Sequence, residues 1–348
     1  MNTIKFGKSI ISTKGPCYVI AEIGHNHQGD LETALKMIQV AAASGVQAVK
    51  FQKRDNKTLY TKAFYNKPYD NENSYGATYG EHREFLEFSR DAYIELKKCA
   101  EEHGLEFIAT AFDFKSVDFL EDIGVTCFKT ASGDITNTPL LVYIAKLGKP
   151  MFVSTGAATM DEVRLAYETI LAHNDKLCLM HCTAGYPTEY HDLNLKAIEI
   201  MKREFPKAII GYSGHDNGIL AAVIAYMLGA KVLEKHFTLN RAWKGTDHKF
   251  SLEPEGLRKQ VRDIRRVDIS LGDGKKDIKD FEKDARLKMG KGIYTSRPLS
   301  AGSTITFDDI CFKTPANGTP PYLIDKIIGK KLKVDLSEEV TISFDQVE

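Results

Sequence analysis

Two histidines and an acid mark the first place in this chain where chemistry can happen. His215 follows an apolar run at 209–213, and His236 lies at the end of another at 231–237. Between them, residues 219–228 are apolar almost all round, which suits a buried helix. Asp216 or Asn217 can cap its start and Gly229 can stop it. A strand–helix–strand unit of this kind has parallel strands, so both strand ends point the same way and the two imidazoles can meet. Glu234 shares a strand face with His236. Two imidazoles with an acid nearby suit a divalent metal that keeps positions free for substrate. The plain alternative is two ordinary strand-end histidines.

Two lysines raise the next question. Lys50 and Lys129 stand in otherwise apolar runs, where an ammonium group is costly unless paired. With the hydroxyls of Thr110, Ser132, Ser154 and Ser213 they would form a cradle for a phosphate or carboxylate. As structural ion pairs they would instead face Glu22, Asp134 or Glu234. A third option is a Schiff-base lysine at Lys129, activated by desolvation, in an aldolase. Glu22, Gln52, Asp113, Tyr186 and Asp247 also fall at or just beyond strand ends, and one of His25, Asn26 and His27 is expected to touch ligand. His82, His103, His173 and His191 read as solvated, and Cys178 and His181 as core. The loop around Trp243 is a lid or a surface connection.

The elements that must carry these residues follow a pattern. Apolar runs at 17–23, 46–52, 105–112, 125–131, 150–155, 176–182, 208–213 and 231–237 read as strands covered on both faces. Helical stretches separate them at 31–43, 93–102, 114–122, 139–146, 160–173 and 193–205, the first capped by Asp30 and ended by Gly45. Strands alternating with helices in this way predict an α/β fold, a (β/α)8 barrel, with the active site at the C-terminal strand ends. A doubly wound open sheet is the alternative, but no Gly-rich dinucleotide fingerprint follows the first strand. Residues 53–90 are the chief insertion. The barrel domain is expected over 1–271, a charged linker over 272–290, and a small domain of short strands and turns over 291–348. A unit that small is marginal alone, so it is expected to dock on a barrel, its own or a partner's.

Composition narrows the class. The 348 residues are 43% hydrophobic and 27% charged, an ordinary globular balance. Formal net charge is zero, so no basic surplus exists to hold nucleic acid. No apolar run approaches the roughly 18 residues of a membrane span, and MNTIKFGKSI lacks the apolar core of a signal peptide. The six cysteines form no C-x-x-C pair, which fits a reducing cytoplasm.

The segments AEIGHNHQGD, VKFQK, YGEHREFLEFS, KTASGD, STG, HCTAGYP, GYSGHD, LEKHFTL and GTDHKFSLEP, in this order, resemble the sialic acid synthase family. The run beginning GKGIYTSRPLSAGSTIT is similar to that family's antifreeze-like (SAF, β-clip type) domain. The resemblance implies an N-acetylneuraminate synthase that condenses phosphoenolpyruvate with N-acetylmannosamine and releases phosphate. It implies a divalent metal, Mn²⁺ first with Mg²⁺ or Co²⁺ as substitutes, on His215 and His236. Phosphoenolpyruvate would lie against Lys50, Thr110, Lys129, Ser132, Ser154 and Ser213, and the sugar against Glu22, Gln52, Tyr186 and Asp247. Glu22, Lys129 and Glu234 join the two histidines as catalytic candidates, and a domain-swapped homodimer is expected. Two positions depart from the family: an arginine is missing from Lys313-Thr314-Pro315-Ala316-Asn317-Gly318, and Ala184 stands where some members have asparagine. The insertion looks like that of the animal enzymes, which use the 6-phosphorylated sugar. The 9-phosphate synthases and the legionaminic and pseudaminic acid synthases are therefore alternatives. A pyruvate aldolase and a non-catalytic sugar-binding protein stand outside the family.

Overall fold

A computed structural model describes residues 2–348 and divides the chain into two compact units, Met1–Leu271 and Gly272–Glu348. In the first, a short antiparallel hairpin, β1 (Thr3–Phe6) and β2 (Ser9–Ser12), precedes eight parallel strands. These are β3 (Tyr18–Gly24), β4 (Ala48–Lys53), β5 (Glu106–Ala111), β6 (Phe128–Thr130), β7 (Met151–Ser154), β8 (Leu177–Cys182), β9 (Ile209–Gly214) and β10 (Val232–His236). They close into a barrel in chain order, with β10 beside β3, so the expected (β/α)8 architecture is present and the open sheet is not.

The two-residue period of a strand explains both the core and the site. Outward positions such as Val19, Val49, Phe107, Val153, Leu179 and Ile210 pack under the helices in one apolar layer. Inward positions change character along each strand. Near the N-terminal ends they are apolar: Ile20, Ala48, Ile108, Cys127, Phe152, Met180 and Val232 form a buried cluster. One inward step further on they become Glu22, Lys50, Thr110, Lys129, Ser154, Cys182 and Glu234. The hairpin was not foreseen from sequence. Its Ile4, Phe6 and Ile11 plug the lower end, with the Phe6 ring 5.5 Å from Phe152 and 5.7 Å from Tyr18.

The helix after β9 corrects two expectations. Leu220–Met227 is not buried all round: Leu220 and Met227 are exposed while Ala221, Ala222 and Ala225 face the barrel. Neither Asp216 nor Asn217 caps it. Asp216 instead lies 2.8 Å from the buried Lys235 ammonium and accepts a 2.9 Å hydrogen bond from Tyr212. A buried charge takes the carboxylate that a helix terminus would otherwise use.

The second unit has its own core of Ile293, Leu299, Ile305, Ile310, Ile327, Leu332, Leu336, Ile342 and Val347. Its two named strands, β11 (Gly292–Thr295) and β12 (Ile310–Lys313), are antiparallel, and a short helix, Lys283–Met289, precedes them. Arg297, a conceivable replacement for the missing arginine, is held 2.6 Å from Asp309 within this unit. Among the described residues no helix is long and apolar enough to cross a membrane.

Candidate active site

The polar inward layer opens into a cavity of about 560 Å³ at the C-terminal ends of the strands. All thirteen residues expected from sequence line it: Glu22, Lys50, Gln52, Thr110, Lys129, Ser132, Ser154, Tyr186, Ser213, His215, Glu234, His236 and Asp247. Register brings them together, because Glu22 is paired with both Lys50 and His236, Thr110 with Lys129 and Gln52, and Glu234 with Ser213. Ser132 arrives at the start of a short 3-10 turn, Ser132–Asp134, and Tyr186 and Asp247 arrive on loops. Gly156 lets one loop close in: its N–H donates to Ser132 Oγ at 3.1 Å, and a Cβ there would stand 2.7 Å from that oxygen.

The two lysines have different surroundings. Lys50 Nζ lies 2.8 Å from Glu22 Oε2 and 3.5 Å from Glu234 Oε1, and donates to Thr110 Oγ1 at 2.9 Å. Burial works against its charge, but the two carboxylates outweigh burial and hold the ammonium above its ordinary range. Lys129 has no carboxylate within ion-pair distance among the described residues. It donates to Ser154 Oγ at 2.5 Å and to Thr130 O at 2.9 Å. Burial pulls its pKa down, with Glu234 opposing at longer range. Lys50 therefore combines ion pairs with a hydroxyl contact, whereas Lys129 has only the hydroxyl and carbonyl contacts of the cradle reading.

The acids divide in the same way. Burial pushes the Glu22 carboxyl up to about 7, Lys50 opposing and Glu234 adding. Glu234 is held low: burial opposes, but Lys129 and Lys50 prevail, and Ser213 Oγ donates to Oε1 at 3.1 Å. Its Oε2 is buried without a hydrogen-bond partner among the described residues. Two neighbouring carboxylates with opposite shifts can hold different protonation states in one site.

The imidazoles of His215 and His236 have centroids 5.4 Å apart. His215 Nδ1 donates to Thr183 O at 3.0 Å, which leaves the lone pair on Nε2. His236 Nδ1 is buried with no hydrogen-bond partner among the described residues, 3.8 Å from Asp247 Oδ2. Burial, with Asp247 opposing, drops the His236 pKa to about 3, so its ring is neutral. An orphaned imidazole nitrogen beside a carboxylate and a second ring of fixed tautomer fit a divalent cation. No group of three His, Cys, Asp or Glu side chains converges on one point among the described residues, so water or substrate oxygens would complete the coordination.

Other expectations are corrected. Asp113 caps the helix Phe114–Asp122 by accepting from Ser116 N. Asn26 is buried against Phe237 O and Ser251, and His27 packs on Phe88, leaving His25 as the member of that trio on the cavity wall. His82 is buried, not solvated, with its ring against Tyr69 and Tyr75. Sequence reasoning missed Arg54, Arg83 and Cys182 as cavity residues. Cys182 obeys the inward alternation of β8 and was legible from it. Arg83 comes from the insertion, where no period points inward.

Comparison with known proteins adds an independent line. The NeuB family model matches residues 37–276, and the SAF domain model matches residues 290–348. N-acetylneuraminate-9-phosphate synthase of Mus musculus is 41% identical over 339 residues, covering 97% of this chain and 94% of the relative. N,N'-diacetyllegionaminic acid synthase of Legionella pneumophila is 37% identical over 338 residues, covering 95% of each. The crystal structure of N-acetylneuraminic acid synthetase from Leptospira borgpetersenii, in complex with citrate, aligns with a TM-score of 0.70 at 31% identity. It covers 82% of this chain and 96% of that one.

Proposed function

The chain belongs to the NeuB family and carries a SAF domain, and from that premise we propose that it condenses phosphoenolpyruvate with an open-chain N-acetylated hexosamine, N-acetylmannosamine or its 6-phosphate, to give a nonulosonic acid and phosphate. The observation that carries this reading is the single cavity in which a hydroxyl-lined lysine cradle adjoins a pair of imidazoles. Phosphoenolpyruvate lies along Lys50 and Lys129, with Thr110, Ser132, Ser154 and Ser213 donating to its phosphate and carboxylate. Glu22, Gln52, Tyr186 and Asp247 hold the sugar. A divalent cation on His215 and His236, Mn²⁺ foremost, would polarise the aldehyde oxygen when bound.

The residues of the chain then manage one carbon–carbon bond and two protons. C3 of phosphoenolpyruvate attacks the aldehyde carbon, and positive charge develops at C2. Water adds at C2, oriented by Glu234 Oε2. One water proton passes to Glu22 and on to the former aldehyde oxygen, a transfer suited to a carboxyl near neutrality. The C2–O bond to phosphate breaks as the second proton passes from the C2 hydroxyl to the departing phosphate, giving the keto group and inorganic phosphate. Lys50 and Lys129 offset the anionic charge throughout.

The reading includes a homodimer in which the C-terminal unit of one copy covers the partner's site, as the family resemblance implies. It also includes a cytoplasmic setting, which six free cysteines support. The test is phosphate release from phosphoenolpyruvate with Mn²⁺, offering N-acetylmannosamine and its 6-phosphate in parallel. Sugar-dependent release is expected. Release that ignores the sugar, or none with either, contradicts the reading.

A further inference from the structure

Arg54 and Arg83 line the cavity but take no part in the chemistry above. Arg54 is buried at 7% exposure, its guanidinium stacked 3.6 Å over the Phe112 ring. Its Nη2 donates to Gln52 Oε1 at 2.7 Å, and its Nη1 lies 2.9 Å from His25 Nε2. Arg83 approaches the same imidazole from the other side, with Nη1 3.0 Å from His25 Nδ1, and its other contacts go to Tyr79 Oη. Among the described residues neither guanidinium has a carboxylate within ion-pair distance. Both are always charged.

The bridge they form through His25 is short of acceptors. A neutral imidazole accepts at one nitrogen and donates at the other. Burial and the two arginines keep His25 neutral. One guanidinium N–H therefore faces another N–H. Two desolvated cations and an uncompensated donor, all on a cavity wall, are completed by an oxyanion that accepts from both guanidiniums.

The position says which substrate carries that anion. Gln52 is shared: its amide donates to Glu22 at 2.7 Å while its oxygen accepts from Arg54. Glu22 and Gln52 belong to the sugar side, and Asp247, also on that side, acts on Arg83 through space. The phosphoenolpyruvate cradle has its own two lysines, Lys50 one inward step below Gln52 on β4 and Lys129 on β6. We propose that Arg54 and Arg83, bridged by His25, are the subsite for a phosphate on the sugar, so that this chain takes a 6-phosphorylated N-acetylhexosamine in preference to the free sugar. The proposal rests on the synthase reading above and selects between its two sugars.

The experiment compares kcat/KM for N-acetylmannosamine 6-phosphate and N-acetylmannosamine, at saturating phosphoenolpyruvate, in the wild type and in Arg83→Met, with Arg54→Lys as a second variant. Wild type is expected to prefer the phosphorylated sugar by at least about 100-fold. Arg83→Met should cut that preference about 100-fold with the KM for phosphoenolpyruvate unchanged. Equal use of the two sugars by wild type overturns the subsite while leaving the synthase intact. So does a variant that loses both sugars by the same factor, or raises the KM for phosphoenolpyruvate, because the arginines then serve the first substrate. If neither sugar releases phosphate, the synthase reading fails for these sugars and direct binding decides the subsite. Calorimetric affinity for N-acetylmannosamine 6-phosphate that falls about 100-fold in Arg83→Met supports it, and equal affinity overturns it.

Discussion

Lys129 and Lys50 are the same residue type in one cavity, yet their removal should have opposite structural consequences. Lys50 neutralises Glu22 and Glu234, so Lys50→Met leaves two buried carboxylates without their partner and should cost about 3 to 5 kcal/mol in denaturant unfolding. Lys129 has hydroxyl and carbonyl partners but no ion pair among the described residues. Lys129→Met should therefore hold or raise the melting temperature while raising the KM for phosphoenolpyruvate at least about 100-fold. Glu22 supplies a pH test. Its carboxyl is raised to about 7 by burial and acts in ionised form. Activity should thus be complete above that pH and fall as pH drops through about 7, measured as kcat/KM for phosphoenolpyruvate. The residual activity of Glu22→Gln should lack this limb. The identities of these residues were legible because strand alternation forces Lys50, Thr110, Lys129 and Glu234 onto the inward face. Their division into ion pair and cradle was not legible, since it depends on which strand neighbours which acid.

Element by element, the barrel was readable from apolar runs punctuated by glycines, and the bounds of the observed strands fall within three residues of those runs, the widest gap being at β6. The hairpin β1–β2 was not, because four-residue strands carry too little period to separate from a loop. It has a clear load: Phe6 fills the space under Phe152 and Tyr18. Phe6→Ala should cost about 3 to 5 kcal/mol in urea denaturation while leaving the KM for phosphoenolpyruvate unchanged, because the inward polar layer sits above the apolar one. The insertion taught the opposite lesson. Its motif was visible in sequence, but its physical use was not. Tyr75 Oη donates to Lys244 O at 2.6 Å, and Gly245 N donates to Asn73 Oδ1 at 2.9 Å. The segment therefore braces the loop that carries Asp247, and it delivers Arg83 to the wall.

At the scale of the molecule, each of the two units has buried apolar clusters of its own. A chain ending at Leu271 should still unfold cooperatively, with a melting temperature within a few degrees of the intact barrel's, but lose most of its kcat/KM if the C-terminal unit covers the site in a dimer. Unchanged kcat/KM would remove that cover from the account. The central claim is narrower: the cavity uses phosphoenolpyruvate itself, with water entering at C2. The direct measurement is turnover in ¹⁸O-water with phosphoenolpyruvate or pyruvate as the three-carbon donor. The account predicts one phosphate released per nonulosonic acid formed, no ¹⁸O in that phosphate, and no product from pyruvate. Product from pyruvate with borohydride trapping of Lys129, or ¹⁸O in the phosphate, would contradict it.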